Sequence, residues 1–311
     1  MQTDVAEHPV LDFLWLELTN RCNLQCSHCY AQSGPHAGAG DVLGPADYER
    51  LLTESRSLGC RQVQFIGGEP TLNKALPGLL QTAARLEFDA IEVFTNLISL
   101  SEELLQSLIR CRVLVATSFY SANAGTHDRI TRSIGSFGRT VRNIERVIGA
   151  GIPLRVGVIE MELNGGEFNA TRTFLESLGA TDIGFDQVRG FGRAQTTSAC
   201  EMGDLCGQCA TNILAIGPDG VVAPCIMSKA WTVGSVLKQS LGDIAASPQL
   251  AATRQRIAEA TGVKSEADCW PACGPNRQQC MPECGPSRQC APCGPNGGNK
   301  CYPNNNCGPA R

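Results

Sequence analysis

The sequence has no run of about 20 uncharged apolar residues, the length a membrane-crossing helix needs, and its first residues carry Asp4 and Glu7 where a signal peptide has an apolar core. The reading from these absences is no membrane span and a cytoplasmic location. There is no basic excess either: 26 Lys and Arg stand against 30 Asp and Glu, a net charge of -4, which argues against a general nucleic-acid-binding face. Residues 269–311 contain no Val, Ile, Leu or Phe, and such a segment cannot bury a core. What the chain has in excess is cysteine, 17 in 311 residues. In a reducing compartment that many thiols point to metal or redox chemistry rather than to disulfides.

The thiols are concentrated at the two ends, and between them short β-branched or apolar segments alternate with longer amphipathic ones. Strands are predicted at Phe13 to Leu18, Gln62 to Ile66, Ala90 to Thr95, Val113 to Ser118, Leu154 to Met161 and Ile183 to Val188. Helices are predicted at Pro45 to Leu58, Ala75 to Leu86, Ser101 to Cys111, Ser136 to Ala150 and Glu167 to Leu178. The alternation implies an α/β fold with a parallel sheet, open or curled into a barrel, and both forms place ligands at the carboxyl ends of the strands. Gly190, Gly192 and the polar run to Ser198 read as a linker.

The loop after the first strand reads Thr19-Asn20-Arg21-Cys22-Asn23-Leu24-Gln25-Cys26-Ser27-His28-Cys29-Tyr30. Three thiolates in one turn would leave a 4Fe-4S cubane one ligand short, with an iron open to bind something else; a zinc knuckle and a cluster completed by a ligand from elsewhere are the alternatives from spacing alone. The second strand ends in Gly67-Gly68-Glu69-Pro70-Thr71. Glycines there permit a close backbone approach to a ligand, and Glu69 offers an acceptor for an ammonium group.

The two motifs together resemble the radical S-adenosylmethionine (radical SAM) superfamily. The resemblance implies a partial (β/α)6 TIM-like barrel, a SAM-binding 4Fe-4S cluster on Cys22, Cys26 and Cys29, and SAM contacts from Gly67, Gly68, Glu69 and Pro70. It extends to Thr95-Asn96 and Ser118, at the ends of the third and fourth strands, as polar groups near the ribose and substrate. Departures are visible: Leu97 replaces the last glycine of Thr-Asn-Gly, and Ser118-Phe119-Tyr120-Ser121 lacks the aspartate of Ser-x-Asp-Gly. His28 stands where the family usually has an aromatic residue, and packing beside the cluster is its expected role. His127-Asp128 with Gly135-Ser136-Phe137 looks like a loop of peptide-modifying members, while capping of the next helix is the plainer account.

Farther on, Cys206-Gly207-Gln208-Cys209, a hairpin turning at Pro218-Asp219-Gly220, and Cys225 resemble the opening of a SPASM or twitch domain, which holds auxiliary 4Fe-4S clusters. The expected domains are residues 1–195 for the barrel and 196–311 for a Cys-rich, mostly irregular iron-sulfur domain, whose tail at 269–311 repeats Cys-x-Pro and Cys-Gly-Pro. Its cysteines, Cys269, Cys273, Cys280, Cys284, Cys290, Cys293, Cys301 and Cys307, join Cys206, Cys209 and Cys225 as metal-ligand candidates for two auxiliary clusters. Cys60 and Cys111 read as inert buried thiols, and Cys200 is left without a role.

The resemblance implies SAM cleavage to a 5'-deoxyadenosyl radical, fed by a flavodoxin or ferredoxin-type electron donor. The expected function is oxidation or crosslinking, through thioether or carbon-carbon bonds, of a ribosomally synthesised precursor peptide. A small-molecule dehydrogenase or bond-forming enzyme is the alternative, and a metal-storing or redox-relay protein the third. Only about a dozen residues precede the first strand, so a separate leader-peptide recognition protein is expected as a partner.

Overall fold

The computed structural model describes residues 11–196 and 200–262. Six parallel strands follow the predicted alternation: β1 (Phe13–Glu17), β2 (Gln62–Ile66), β3 (Ala90–Phe94), β4 (Leu114–Phe119), β5 (Leu154–Glu160) and β6 (Asp182–Gln187). They pair in chain order. The crossovers carry α1 (Pro45–Ser57), α2 (Leu76–Arg85), α3 (Glu102–Arg110), α4 (Ala124–Thr131), α5 (Ser136–Gly149) and α6 (Phe168–Ser177). The α/β class and the parallel sheet are as expected.

Alternation along the strands sorts the sheet's two faces. Leu14, Leu16, Val63, Phe65, Val93, Val115 and Val156 join Tyr48, Leu51, Leu79 and Leu80 of the helices in the main core. The other face is mixed. Phe13 and Trp15 join an apolar cluster there, while Glu92 is buried in an ion pair with Arg155 at 2.8 Å and hydrogen-bonded by Gln64. Ser101 caps α3 by accepting from the Leu104 amide at 3.1 Å, as its predicted N-cap position requires.

Two features depart from the sequence reading. Residues 124–131, taken as loop, form α4, whose N-terminus Asn123 caps through the Thr126 amide at 3.1 Å. The predicted hairpin, β7 (Ile213–Ile216) and β8 (Val221–Ala223), is built onto the core sheet: β7 pairs parallel with β1, from Phe13 opposite Ile213 to Leu16 opposite Ile216. With β9 (Gly234–Ser235) the sheet has nine strands among the described residues. The described chain closes with α7 (Leu241–Ala245) and α8 (Pro248–Thr261).

Candidate functional site: two cysteine triads on one sheet

The loop after β1 starts against the end of β2, and the glycines make that contact possible. Gly67 adopts φ +140°, and an added Cβ would lie 2.6 Å from the Thr19 carbonyl oxygen; at Gly68 it would lie 2.2 Å from that of Arg21. The close approach expected toward a ligand is thus first an approach to the cysteine loop's own backbone. It is sealed by Gly68 N–H donating to Thr19 at 2.7 Å and Glu69 N–H to Arg21 at 2.8 Å.

Glu69 is buried and ties the ends of β2 and β3 together. One carboxylate oxygen accepts from the Thr71 amide at 3.1 Å and from the Thr71 and Thr95 hydroxyls at 2.7 Å each; the other accepts from the Asn96 amide at 2.8 Å. Burial pushes its pKa up and these donors oppose the shift. The carboxylate expected to meet an ammonium group is therefore already engaged by four of the protein's own donors. Asn96 passes the order on: its side-chain amide donates to Asn23 at 2.7 Å and lies 3.7 Å from the Cys22 sulfur.

Two further elements support the loop. At the end of α4, the carbonyls of Thr131 and Ile130 accept from Gln25 at 3.3 Å and Ser27 at 2.9 Å. Just after β4, Tyr120 hydrogen-bonds through its side chain with Cys26 and with Ser118, and its ring meets His28 edge-on at 4.9 Å. His28 is the packing neighbour expected, and burial lowers its pKa to about 4. His127 is buried against Phe119, Tyr120 and Phe137. Asp128 caps α5, accepting from Gly135 at 2.6 Å and Phe137 at 2.9 Å, which is the plainer of the two roles considered.

Burial pushes the Cys22 and Cys26 thiols up to about 12, so neither gives up its proton without a cation to replace it. Three soft sulfur donors on one loop, two of them needing such a cation, suit a thiolate-ligated iron-sulfur cluster. None of the described cysteines forms a disulfide. Among the described residues, no three His, Cys, Asp or Glu side chains are arranged around a single metal ion.

The second triad lies across the sheet's other face. Cys209 contacts both Cys206 and Cys225, and these neighbouring thiols, with burial, push its pKa up. Cys209 and Cys225 sit in the apolar cluster of Phe13 and Trp15, against which Tyr30 packs directly after Cys29. The Tyr30 ring thus reaches from the first triad to the second. A half-buried ion pair fixes this junction: the buried Glu17, at the end of β1, meets the partly exposed Lys229 at 2.6 Å, and the Lys229 amine lies 5.9 Å from the Tyr30 ring centre. The sequence reading gave Glu17, Tyr30 and Lys229 no role; the only available signal was a lone acid ending an apolar strand.

Outside the triads, Cys60 is buried with its thiol on the Gln62 carbonyl at 3.3 Å, and Cys200 sits 3.4 Å from the Gln195 side chain. Cys269, Cys273, Cys280, Cys284, Cys290, Cys293, Cys301 and Cys307 lie outside the described residues.

A family model described as the radical SAM superfamily matches residues 16–171, half of the chain, and spans the first triad, Gly67 to Pro70, Thr95 and Ser118. The chain belongs to the radical SAM superfamily. It is an enzyme of that superfamily, with iron-sulfur and S-adenosylmethionine as its cofactor chemistry. A model of the SPASM iron-sulfur cluster-binding domain matches residues 206–281, which takes in the second triad and Cys269, Cys273 and Cys280.

Among curated relatives, the antilisterial bacteriocin subtilosin biosynthesis protein AlbA of Bacillus subtilis is 29% identical over 194 residues, 61% of this chain and 42% of that protein. The sporulation killing factor maturation protein SkfB of the same organism is 25% identical over 277 residues, 76% of this chain and 65% of that protein. A GTP 3',8-cyclase of Geobacter sulfurreducens is 31% identical over 161 residues, 50% of this chain and 49% of that protein. The chain spans about half the length of the curated relatives it matches. Streptococcus suis SuiB bound to precursor peptide SuiA has a similar fold, with a TM-score of 0.66 at 13% identity over 78% of this chain and 66% of that one.

Proposed function

We propose that this radical SAM enzyme oxidises or crosslinks residues of a ribosomally synthesised precursor peptide. The observation that carries the reading is the second cysteine triad, joined to the first through Tyr30 on one continuous sheet, because a net oxidation needs somewhere for the substrate's second electron to go. The relatives named for subtilosin and sporulation killing factor maturation support the same class.

Cys22, Cys26 and Cys29 would hold the SAM-binding cluster, and Cys206, Cys209 and Cys225, with tail cysteines, up to two auxiliary clusters. When bound, the first cluster and SAM supply a 5'-deoxyadenosyl radical that removes a hydrogen atom from carbon. The chain's own part is to position and exclude. Gly67 and Gly68 hold the loop against β2, Glu69 fixes Thr95 and Asn96 at the mouth, and Ser118 and Tyr120 line the same end of β4. A flavodoxin or ferredoxin-type protein would deliver the electron, and a separate leader-recognition protein would present the peptide.

The test is anaerobic incubation of the reconstituted enzyme with SAM, a reductant and short peptides encoded beside its gene. Formation of 5'-deoxyadenosine together with a peptide that has lost two hydrogen atoms supports the reading. SAM cleavage stimulated by a nucleotide or other metabolite and by no peptide would instead favour small-molecule chemistry, which the likeness to GTP 3',8-cyclases keeps as the second reading. Membership of the radical SAM superfamily supports an enzyme over the third expectation, a metal-storing or redox-relay protein, which would bind iron and never cleave SAM.

A further inference from the structure

After β6 the chain returns to the first cysteine loop, and the segment read from sequence as a linker is pressed onto that loop. Phe191 is buried in the cluster that holds Trp15 and Cys225. Gly192 adopts φ +60°, and an added Cβ would lie 2.3 Å from the carbonyl oxygens of both Cys29 and Tyr30, so a glycine is required there. Arg193 then grips the loop at three points. Its Nε donates to the Cys26 carbonyl at 2.7 Å, its Nη1 to the Ser33 carbonyl at 2.8 Å, and its backbone N–H to the Cys29 carbonyl at 3.0 Å.

The third arm of the fork is the informative one. Arg193 Nη2 is buried and has no acceptor among the described residues. A buried charged donor left without an acceptor pays its desolvation uncompensated, so such groups are rare unless something outside the polypeptide completes them. What the site lacks is an anion, and a thiolate-ligated cluster is one.

We propose that Arg193 is the positioning residue of the first triad: two arms and its amide hold the loop in shape for Cys22, Cys26 and Cys29, and Nη2 donates to the anionic cluster those cysteines hold. The inference rests on that triad being the cluster's ligand set. A positive charge beside the cluster favours the reduced state, which carries one more negative charge.

The experiment is a potentiometric titration, followed by electron paramagnetic resonance, of the full-length chain reconstituted with iron and sulfide, without SAM. The signal followed is the one absent from the Cys22→Ala, Cys26→Ala, Cys29→Ala variant; if that variant loses no iron, the underlying ligand assignment fails, whatever Arg193 does. Arg193→Gln is expected to lower the reduced-to-oxidised ratio at a given potential at least tenfold, a shift of about 59 mV for a one-electron couple. Arg193→Lys keeps the charge and loses the fork; it should titrate close to wild type and surrender first-site iron to a chelator several-fold faster.

An unshifted potential with unchanged iron retention in Arg193→Gln would overturn the proposal. So would a variant altered only in its SAM affinity, which would assign Nη2 to the SAM carboxylate instead. If Arg193→Gln takes up no cluster yet its apo form melts like wild type, the loop-holding role is supported. If it does not fold, Arg193→Lys decides, and unchanged iron retention there overturns the proposal.

Discussion

Cys22, Cys26 and Cys29 sit on one short loop whose shape is imposed from outside, by Gly68 and Glu69 after β2, Asn96 after β3, Tyr120 after β4, the end of α4, and Arg193 after β6. Cys206, Cys209 and Cys225 are instead gathered by the chain's own hairpin, with Ser228 closing the turn through the Cys225 amide at 2.7 Å. The first site is thus a product of several strands of the sheet, and the second a local structure fastened to β1 by strand pairing and one half-buried ion pair. On the proposed roles the difference assigns labour: the site that would position a radical is braced from the ends of β2, β3, β4 and β6, and the site that would pass electrons needs only proximity.

The strongest way to break this comparison is to remove each triad in turn. Replacing Cys22, Cys26 and Cys29 by Ala should abolish 5'-deoxyadenosine formation, whereas replacing Cys206, Cys209 and Cys225 should leave SAM cleavage measurable and abolish the modified product. Equal loss of SAM cleavage in both variants would refute the division.

Next in size is Glu69→Ala, which leaves the donors of Thr71, Thr95 and Asn96 unmatched in a buried place. Denaturant unfolding of the apo chain should show a loss of about 3 to 5 kcal/mol, with weaker SAM binding in the loaded enzyme. A loss under about 1 kcal/mol would mean that the carboxylate does not brace the loop.

Acid should loosen the first site. His127 has its pKa lowered by burial to about 4 against an ordinary 6.5, so it is neutral when folded and takes a proton more readily when unfolded. The stability this contributes is complete above pH 6.5 and is lost as pH falls toward 4, by up to about 3 kcal/mol. His28 is depressed into the same range, so His127→Phe should roughly halve the acid-dependent loss in chemical melts rather than remove it. An unaltered slope would place the titration elsewhere.

The smallest effect concerns the fastening. Lys229→Met strands a buried Glu17 and should cost about 2 kcal/mol, less than a fully buried pair because the lysine side chain keeps 37% of its surface exposed. Adding Glu17→Gln should recover part of that loss, and a purely additive double variant would show that the pair does not act as a unit.

Much of this was legible in the sequence because the signals are local. Strands β1 to β6 announce themselves by apolar runs of the right length, and five of the six crossover helices by their amphipathic period. The triad and Gly67 to Pro70 are contiguous motifs. The eight-residue helix α4 was hidden because its apolar positions are few and Asn123 and Asp128 read as turn residues. Arg193 was hidden for a different reason: in sequence it stands in a glycine-rich polar stretch, and only the return of the chain after β6 brings it to Cys26. The pairing of β7 with β1 and the Glu17–Lys229 contact join residues far apart in the chain, which no local pattern records.

The central claim, that two separate cysteine sets hold iron, is tested most directly by the iron and sulfide content of the reconstituted chain and of the two triple variants. The account predicts that the Cys22, Cys26, Cys29 variant loses about 4 iron per chain, that the Cys206, Cys209, Cys225 variant loses a further, independent amount, and that each keeps the other's share. Unchanged iron in the first variant would contradict it.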